Sequence, residues 1–169
     1  PGGTYFFTVT LADRTANTLV THIDDFRTAV AKVKRTMPFE IVAWVVLPDH
    51  CHTVWALPEG DANFAVRWQT IKRMVSHRCK DILHQPEYMT PSKIKHGEST
   101  VWQRRYWEHA IRSDSDLERH VDYIHFNPVK HGYVGRVVDW PHSSFHRYVK
   151  EGTLPAEWGG ADNSFTVPE

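Results

Sequence analysis

Two short segments of the chain carry side chains whose types and spacing could act together on a phosphate. The first holds His50 and His52, two residues apart, and the second holds Tyr123 and Asn127, four residues apart. Two imidazoles and an amide oxygen are able to ligate one divalent metal ion. A tyrosine hydroxyl beside that ion could attack a phosphate that the ion polarises. The two segments therefore predict metal-dependent cleavage of a phosphodiester through a covalent tyrosine intermediate.

The histidine pair falls at the start of a predicted strand. Residues 39–47 and 51–57 are rich in β-branched and aromatic residues, which indicates two strands joined at a Pro-Asp turn as an antiparallel hairpin. Because side chains two apart on a strand point to the same face, we expect His50 and His52 to project together. With 12 histidines in the chain, such a pair also arises by chance, so it does not establish a metal site alone.

The tyrosine and the asparagine fall in a predicted helix. Ser113 and the acidic residues that follow it indicate a helix start, and Pro128 predicts that the helix ends near Asn127. Residues four apart share a helix face, so Tyr123 and Asn127 should lie together, with His120 on the same stripe as a candidate base. The alternative is a packing tyrosine and an asparagine that only ends the helix.

The remaining patterns predict a single domain over residues 1–150. We expect an α+β fold, in which helices pack on an antiparallel sheet, because strand and helix patterns alternate along the chain. The further predicted elements are a strand over 4–11, a helix over 21–37, a long basic helix over 62–84, a loop over 86–100, a strand over 101–107 and a short helix over 140–149.

Basic residues are concentrated in one third of a chain whose net charge is zero. Residues 67–105 contain nine Lys or Arg and three Asp or Glu, a balance that predicts a DNA-binding surface. The alternative is an ordinary solvated helix face. Aromatic residues between the basic ones suit stacking on bases. The candidate DNA-contacting residues are Arg67, Lys72, Arg73, Lys93, Lys95, Trp102, Arg104 and Arg105.

Residues 151–169 form an acidic C-terminal tail with four acidic residues and no basic ones. Its composition suits a mobile segment, which predicts that the tail competes with DNA for the basic surface. The alternative is a tail that packs through Trp158 and regulates nothing.

Three features indicate a cytoplasmic protein that does not enter a membrane. The two cysteines, Cys51 and Cys79, are too few for a disulfide framework. The first residues lack the basic and long apolar regions of a secretory signal peptide. Apolar runs stay shorter than the roughly 18 residues of a membrane span.

His142 and His146, four residues apart, form a rival metal pair. The glutamate that a zinc protease motif places beside the first histidine is absent from this sequence. A zinc hydrolase built on His50 and His52 is a further alternative. It would need a third strong ligand and a general base, and it would leave Tyr123 without a role.

Four segments carry a resemblance to a known family. LPDHCHTVWALPEGD, VWQRRYWEHAIR, HVDYIHFNPVKHGYV and DWPHSSFHRY strongly resemble, in this order, the REP-associated tyrosine transposases, which are relatives of the IS200-like single-tyrosine HUH transposases. The resemblance covers about residues 1–150. It implies a ferredoxin-like sheet flanked by helices, with His50, His52 and Asn127 as ligands of Mg²⁺ or Mn²⁺ and Tyr123 as nucleophile. Cys51 replaces a bulkier aliphatic residue, a mild departure.

The resemblance also implies an activity and a partner. The expected protein is a metal-dependent endonuclease and strand transferase that acts on single-stranded DNA beside hairpins of repeated extragenic palindromes (REP). It would form a 5′-phosphotyrosine intermediate, act as a monomer or homodimer, and associate with the bacterial nucleoid through DNA. The alternative within the same fold is a non-catalytic regulator that binds hairpin DNA.

Overall fold

The computed structural model describes residues 2–160. Its centre is one four-stranded antiparallel sheet in the order β2-β3-β1-β4, and the predicted β2–β3 hairpin is present. The two central strands therefore neighbour each other although a crossover separates them in sequence, as in a ferredoxin-like fold. The strands are β1 (Thr4–Thr10), β2 (Glu40–Val46), β3 (His50–Ala56) and β4 (Trp107–Ala110).

Seven helices accompany the sheet in the described part of the chain. They are α1 (Thr18–Thr21), α2 (Ile23–Thr36), α3 (Phe64–Arg78), α4 (Lys80–Leu83), α5 (Pro91–Lys95), α6 (Asp114–Lys130) and α7 (Phe145–Lys150). Two short 3₁₀ turns cover Pro86–Tyr88 and Val137–Asp139. Within residues 2–160, none of these helices combines the length and the apolar character that crossing a membrane requires.

Each face of the sheet has its own hydrophobic core. On one face, Phe7 of β1 and Trp55 of β3 pack against Trp68 of α3, whose ring stacks 4.3 Å from that of Trp55. On the other face, Phe6 and Val54 join a cluster that includes Ile124 of α6. Because side chains alternate along a strand, the face that α6 covers also carries His50 and His52.

Helix α6 runs through Pro128 instead of ending near Asn127, so that prediction was wrong. The carbonyls of Asn127 and Pro128 still accept hydrogen bonds, from the amides of His131 and Tyr133, both at 3.0 Å. Pro128 is buried, and the packing of α6 outweighs the local preference against α geometry before proline. Asn127 therefore sits inside a regular helix that fixes the direction of its side chain.

Further predicted elements differ from the structure, and one of them is the predicted loop over 86–100, which contains the short helix α5. The predicted strand over 101–107 begins only at Trp107, because Trp102 makes an isolated bridge to Leu11 and turns into the core. The predicted helix over 62–84 divides at Cys79 into α3 and the short α4.

The described part of the acidic tail, residues 151–160, is anchored on the domain by Trp158 and Gly159, while six of its ten residues are exposed. Trp158 lies 6.0 Å from the ring of Phe145 and 6.2 Å from that of His125, measured between centroids. A Cβ on Gly159, which has φ of +75°, would approach Cγ2 of Val137 to 2.6 Å, so glycine is required there. The prediction of a mobile segment was wrong for 151–160, while residues 161–169 lie outside the described residues.

Candidate metal and nucleophile centre

Strand β3 carries His50 and His52 side by side, and both imidazoles are buried. Their ring centroids are 4.9 Å apart. Nδ1 of His50 lies 2.7 Å from Oδ1 of Asp49, and Asp49 in turn pairs with Arg14 at 2.5 Å. Partners of this kind orient the imidazoles that bind metal ions and select their tautomer.

His52 is oriented by a threonine on the neighbouring strand. Its Nδ1 lies 2.8 Å from the hydroxyl of Thr8, which faces it in the β1–β3 register. Its other nitrogen, Nε2, is buried and has no hydrogen-bond partner among residues 2–160. A buried polar atom without a hydrogen-bond partner requires an explanation, and a metal ion bound to that atom would be such an explanation.

Burial keeps both imidazoles neutral. Desolvation lowers the pKa of His52 well below its ordinary value of 6.5, and the positive fields of His50, His131, Lys130 and Arg14 act in the same direction. Desolvation also lowers the pKa of His50, although Asp49 opposes that shift. Neutral imidazole is the form that ligates a metal, so these two side chains are ready ligands at neutral pH.

Helix α6 brings Tyr123 to His52 and carries Asn127 on the same stripe, one turn further along. The ring centroids of Tyr123 and His52 are 5.1 Å apart, and Nζ of Lys130 lies 5.0 Å from the centroid of Tyr123. Asn127 is 0% exposed, and neither its amide oxygen nor its amide nitrogen finds a partner among the described residues. An unpaired buried amide costs roughly 1–3 kcal/mol.

These donors fit a divalent metal ion. The unpartnered Nε2 of His52 and the unpartnered Oδ1 of Asn127 offer a nitrogen and an oxygen ligand, and His50 lies beside His52. His131, which the sequence patterns did not single out, stands with its ring 5.4 Å from that of His50. Helical spacing could have predicted its position, because His131 follows Asn127 by four residues and therefore continues the stripe of Tyr123 and Asn127.

A second group of residues that could bind a metal ion combines Asp116 and His120 of α6, which precede Tyr123 on the helix, with His109 of β4. The ligand atoms of His109, Asp116 and His120 all lie within 4.8 Å of one another, so the group could hold a metal ion. It is also a closed hydrogen-bond network. Nε2 of His109 lies 2.9 Å from the Asp116 carboxylate, and Nδ1 of His120 lies 2.8 Å from the Asp116 carbonyl and 3.2 Å from its carboxylate.

The carboxylate of Asp116 is ionised throughout the physiological range. The hydrogen bond from His109 and the one from the Arg112 amide outweigh desolvation and lower the pKa of Asp116 to about 2. An anion between two imidazoles fixes protons on the nitrogens that face it, Nε2 of His109 and Nδ1 of His120. Sequence reasoning identified His120 but missed both of its partners.

Two further candidate metal sites lie away from Tyr123. His22, Asp25 and Cys79 converge where α2 and α3 meet, under the opposite face of the sheet. In the rival pair, Nε2 of His146 lies 2.7 Å from the carbonyl oxygen of Trp140. That hydrogen bond leaves the other ring nitrogen of His146 for a metal, as the Thr8 contact does for His52, and Nδ1 of His142 is also buried without a partner among the described residues. The rival pair therefore stays a prediction.

Two of the predicted DNA-contacting residues are structural instead. Arg67 is 2% exposed; its guanidinium pairs with Asp61 at 2.6 Å and donates to the carbonyls of Met37, Pro38 and Asn63. Trp102 is 6% exposed, and its indole donates to the Lys72 carbonyl. Predictions of DNA contact for Arg67 and Trp102 were therefore wrong, since both are committed to the core.

The other predicted DNA-contacting residues differ in availability. Lys72 donates to the Gln103 carbonyl at 2.7 Å, and burial lowers its pKa. Arg104 pairs with Glu98 at 3.0 Å while its side chain remains mostly exposed. DNA contact stays a prediction for these two and for Arg73, Lys93, Lys95 and Arg105, of which Lys93 is partly buried and the other three are exposed.

The antiparallel sheet, with a histidine pair on a central strand and a tyrosine on the helix above, is the arrangement expected of a transposase of the tyrosine type. The chain is 48% identical over 168 residues to a REP-associated tyrosine transposase of Escherichia coli, covering 99% of this chain and 92% of that one. A relative from Haemophilus influenzae is 48% identical over 159 residues, covering 94% and 89%. The chain belongs to the family of REP-associated tyrosine transposases. No protein-family model matches it.

Solved structures agree with this assignment. A REP-associated tyrosine transposase bound to a REP hairpin superposes with a TM-score of 0.82 at 48% identity, covering 99% of this chain and 92% of that one. A chain from Deinococcus radiodurans, 14% identical with a TM-score of 0.50 over 70% of this chain and 85% of that one, shares the fold. The predicted α+β, ferredoxin-like architecture is confirmed.

Proposed function

We propose that this protein nicks and rejoins single-stranded DNA beside REP hairpins through a 5′-phosphotyrosine on Tyr123. The observation that carries the proposal is the packing of Tyr123 on His52, next to buried donor atoms of His52 and Asn127 that lack partners. The hairpin is proposed as the substrate because the structural relative that is bound to one is 48% identical over nearly the whole chain.

The proposed reaction is a transesterification. Oη of Tyr123 attacks the phosphorus and forms a new P–O bond, while the bond to the 3′ oxygen breaks and that oxygen leaves as a hydroxyl. A 3′-hydroxyl can attack the phosphotyrosine and reverse the step, so strands are rejoined without ATP. A divalent ion, Mg²⁺ or Mn²⁺, bound by His50, His52 and Asn127 would polarise the scissile phosphate.

His120 is the proposed base for the tyrosine. It lies three residues before Tyr123, so both side chains share a face of α6. Asp116 fixes the proton on Nδ1 of His120, which leaves the lone pair on Nε2 to accept the tyrosine proton. In the reverse step the same nitrogen returns the proton. Asp116 and His109 would act through His120 as positioning residues.

The alternative function is a regulator that binds hairpins without cleaving them. Such a protein would need the fold and the exposed basic residues only. The buried, unpartnered atoms of His52 and Asn127 favour the catalytic function, since they cost folding free energy and have no use in hairpin binding.

Tyr123→Phe tests the proposal, because it removes the attacking oxygen and retains the ring that packs on His52. With wild type, a 3′-fluorescent REP hairpin bearing single-stranded extensions and Mn²⁺ should give a fluorescent protein–DNA adduct that survives a denaturing gel, because the 3′ fragment stays on the tyrosine. The variant should bind the hairpin nearly as tightly and give no adduct. An adduct with the variant would place the nucleophile elsewhere, and tight binding without any wild-type adduct would support the regulator.

A further inference from the structure

Trp107 is a half-exposed tryptophan on the face of the sheet that carries the proposed centre. It pairs with Thr8 in the β1–β4 register, and directly paired residues of antiparallel strands project from the same face. Thr8 is the residue that contacts His52. Trp107 therefore shares the face of His52, yet it remains 51% exposed, which is unusual for so large an apolar side chain.

A single phenylalanine connects Trp107 with the proposed nucleophile. The ring of Phe6 lies 5.6 Å from that of Trp107, edge to face, and 6.0 Å from that of Tyr123. The same ring lies 5.6 Å from His52. Because the buried Phe6 contacts both rings, Trp107 stands at the margin of the centre, one ring away from the attacking group.

Trp107 also begins a series of nearly parallel rings. His109 stacks on it with centroids 5.9 Å apart and planes 4° apart, and His120 stacks on His109 at 4.8 Å and 15°. The hydrogen bonds of Asp116 to both histidines hold this series in place. The orientation of the indole plane is therefore set by the fold.

The position of β4 leaves the indole open to solvent. β4 is an edge strand of the sheet. Helix α6 packs mainly across β2 and β3, which lie towards the opposite edge. An exposed aromatic ring with a fixed plane is what unpaired bases stack on in proteins that bind single strands. Stacking of this kind tolerates any base, because every base has a π-face.

We propose that Trp107 is the stacking platform for an unpaired base of the DNA strand that passes Tyr123. This inference rests on the proposed function, since it needs a single strand at the centre. The base belongs to a nucleotide near the scissile phosphate, because Trp107 and Tyr123 both contact one phenylalanine ring. Trp107 would then position the strand for attack without touching the reacting atoms.

The test couples the tryptophan to one base of the probe. Fluorescence anisotropy measures the affinity of wild type and Trp107→Ala for a REP hairpin with single-stranded extensions, and for copies with an abasic site at each extension position in turn. Trp107→Ala should weaken binding about tenfold. One abasic position should weaken wild-type binding similarly and leave the variant unaffected, the signature of a direct contact in a double-mutant cycle.

Three controls keep the result specific. Trp107→Phe should retain most of the affinity, because a ring remains. Tyr88→Ala, which removes a 61% exposed aromatic ring from the turn after α4, should change nothing. The slope of log affinity against log salt should stay the same in Trp107→Ala, because the contact carries no charge.

Two results would overturn the platform. One is equal affinity of Trp107→Ala and wild type for every probe. The other is a loss of affinity that couples to no abasic position, in particular one that accompanies loss of self-association and so marks a protein contact. Adduct formation by wild type reports separately on Tyr123, so its absence would refute the nucleophile and not the platform.

Discussion

The hydroxyl of Thr8 lies 2.8 Å from Nδ1 of His52 across the β1–β3 pair. That contact commits one nitrogen of the imidazole to the sheet and leaves the other, Nε2, for a ligand. The orientation of the histidine is therefore set by a residue 44 positions earlier in the chain.

Thr8→Val should weaken binding of Mn²⁺ by about 10- to 100-fold, because it removes the contact that orients His52 and retains the shape of the side chain. Titration calorimetry with Mn²⁺ measures the effect. Thr53→Val is the matched control: it removes a buried threonine hydrogen bond, to the Ala43 carbonyl, from the same strand as His52. Equal metal affinity in the two variants would contradict the orienting role of Thr8.

His52→Ala and Asn127→Ala should each abolish binding of Mn²⁺, and EDTA should reproduce their effect on DNA cleavage. The physical reason is that each variant deletes a donor atom that the fold leaves unpartnered. Electron paramagnetic resonance of Mn²⁺ reports binding directly, independently of cleavage. His146→Ala is the control. If it alone removed the bound ion, the metal would belong to the rival pair.

Arg67→Ala should destabilise the fold by about 3 kcal/mol, because it leaves Asp61 and several backbone carbonyls without their buried partner. Urea unfolding measures this loss. Arg73→Ala, in the same helix but exposed, should change stability by less than about 0.5 kcal/mol. A stable Arg67→Ala protein with weakened DNA binding would restore the sequence-based interpretation of this residue.

Replacing Arg73, Arg104 and Arg105 together by alanine should weaken binding of the hairpin and flatten its salt dependence. Each lost phosphate contact lowers the magnitude of the slope of log affinity against log salt by about 0.7–0.9. Binding measured by anisotropy over a range of KCl concentrations gives the slope. Arg136→Ala, another exposed arginine outside the basic third, is the control. An unchanged slope in the triple variant would show that the three side chains contact no phosphate.

Asp116→Asn should lower stability at neutral pH by at most about 2 kcal/mol. The folded pKa of Asp116, about 2, lies below its ordinary value of 3.8, so its carboxylate stabilises the fold above pH 4 and loses that effect as the pH falls towards 2. The difference between variant and wild type should therefore stay nearly constant above about pH 4 and narrow as the pH falls from there towards 2 in urea unfolding experiments.

Asp122 on the same helix provides a control of opposite sign. Burial, followed by the nearby Glu118, raises its pKa, so its charge opposes folding at neutral pH. Asp122→Asn should not lose stability at pH 7. If both variants respond to pH in the same way, the pH effect of Asp116→Asn does not come from its network with the two histidines.

The sequence predicted those parts of the fold that depend on local periodicity. Strand alternation located β1, β2 and β3, and the spacing of Tyr123 and Asn127 on a helix placed both on one stripe. Tertiary packing decided the rest. The core carries α6 through Pro128, and it also takes up Arg67 and Trp102, whose types alone suggest a surface that binds DNA.

Partners distant in sequence were the part of the site that could not be predicted. Thr8 reaches His52 through a strand register, and His109 reaches Asp116 and His120 from another strand. No spacing rule reports such contacts, because they exist only once the sheet has formed. The exposure of Trp107 could not be predicted for the same reason. Trp102 lies in the same aromatic and basic segment of the sequence, yet Trp102 is buried and Trp107 is half exposed.

Tyr123 and Asn127 share one helix, while both histidines share one strand. The nucleophile and the proposed ligands therefore come from two elements, and the hydrophobic contacts of Ile124 and Val121 with the sheet set the position of one relative to the other. A small rotation of α6 would displace the attacking oxygen and the amide ligand together, by the same angle. Substitutions that change the volume of these buried residues would therefore alter the reaction rate of the proposed centre, although the residues themselves lie in the hydrophobic core.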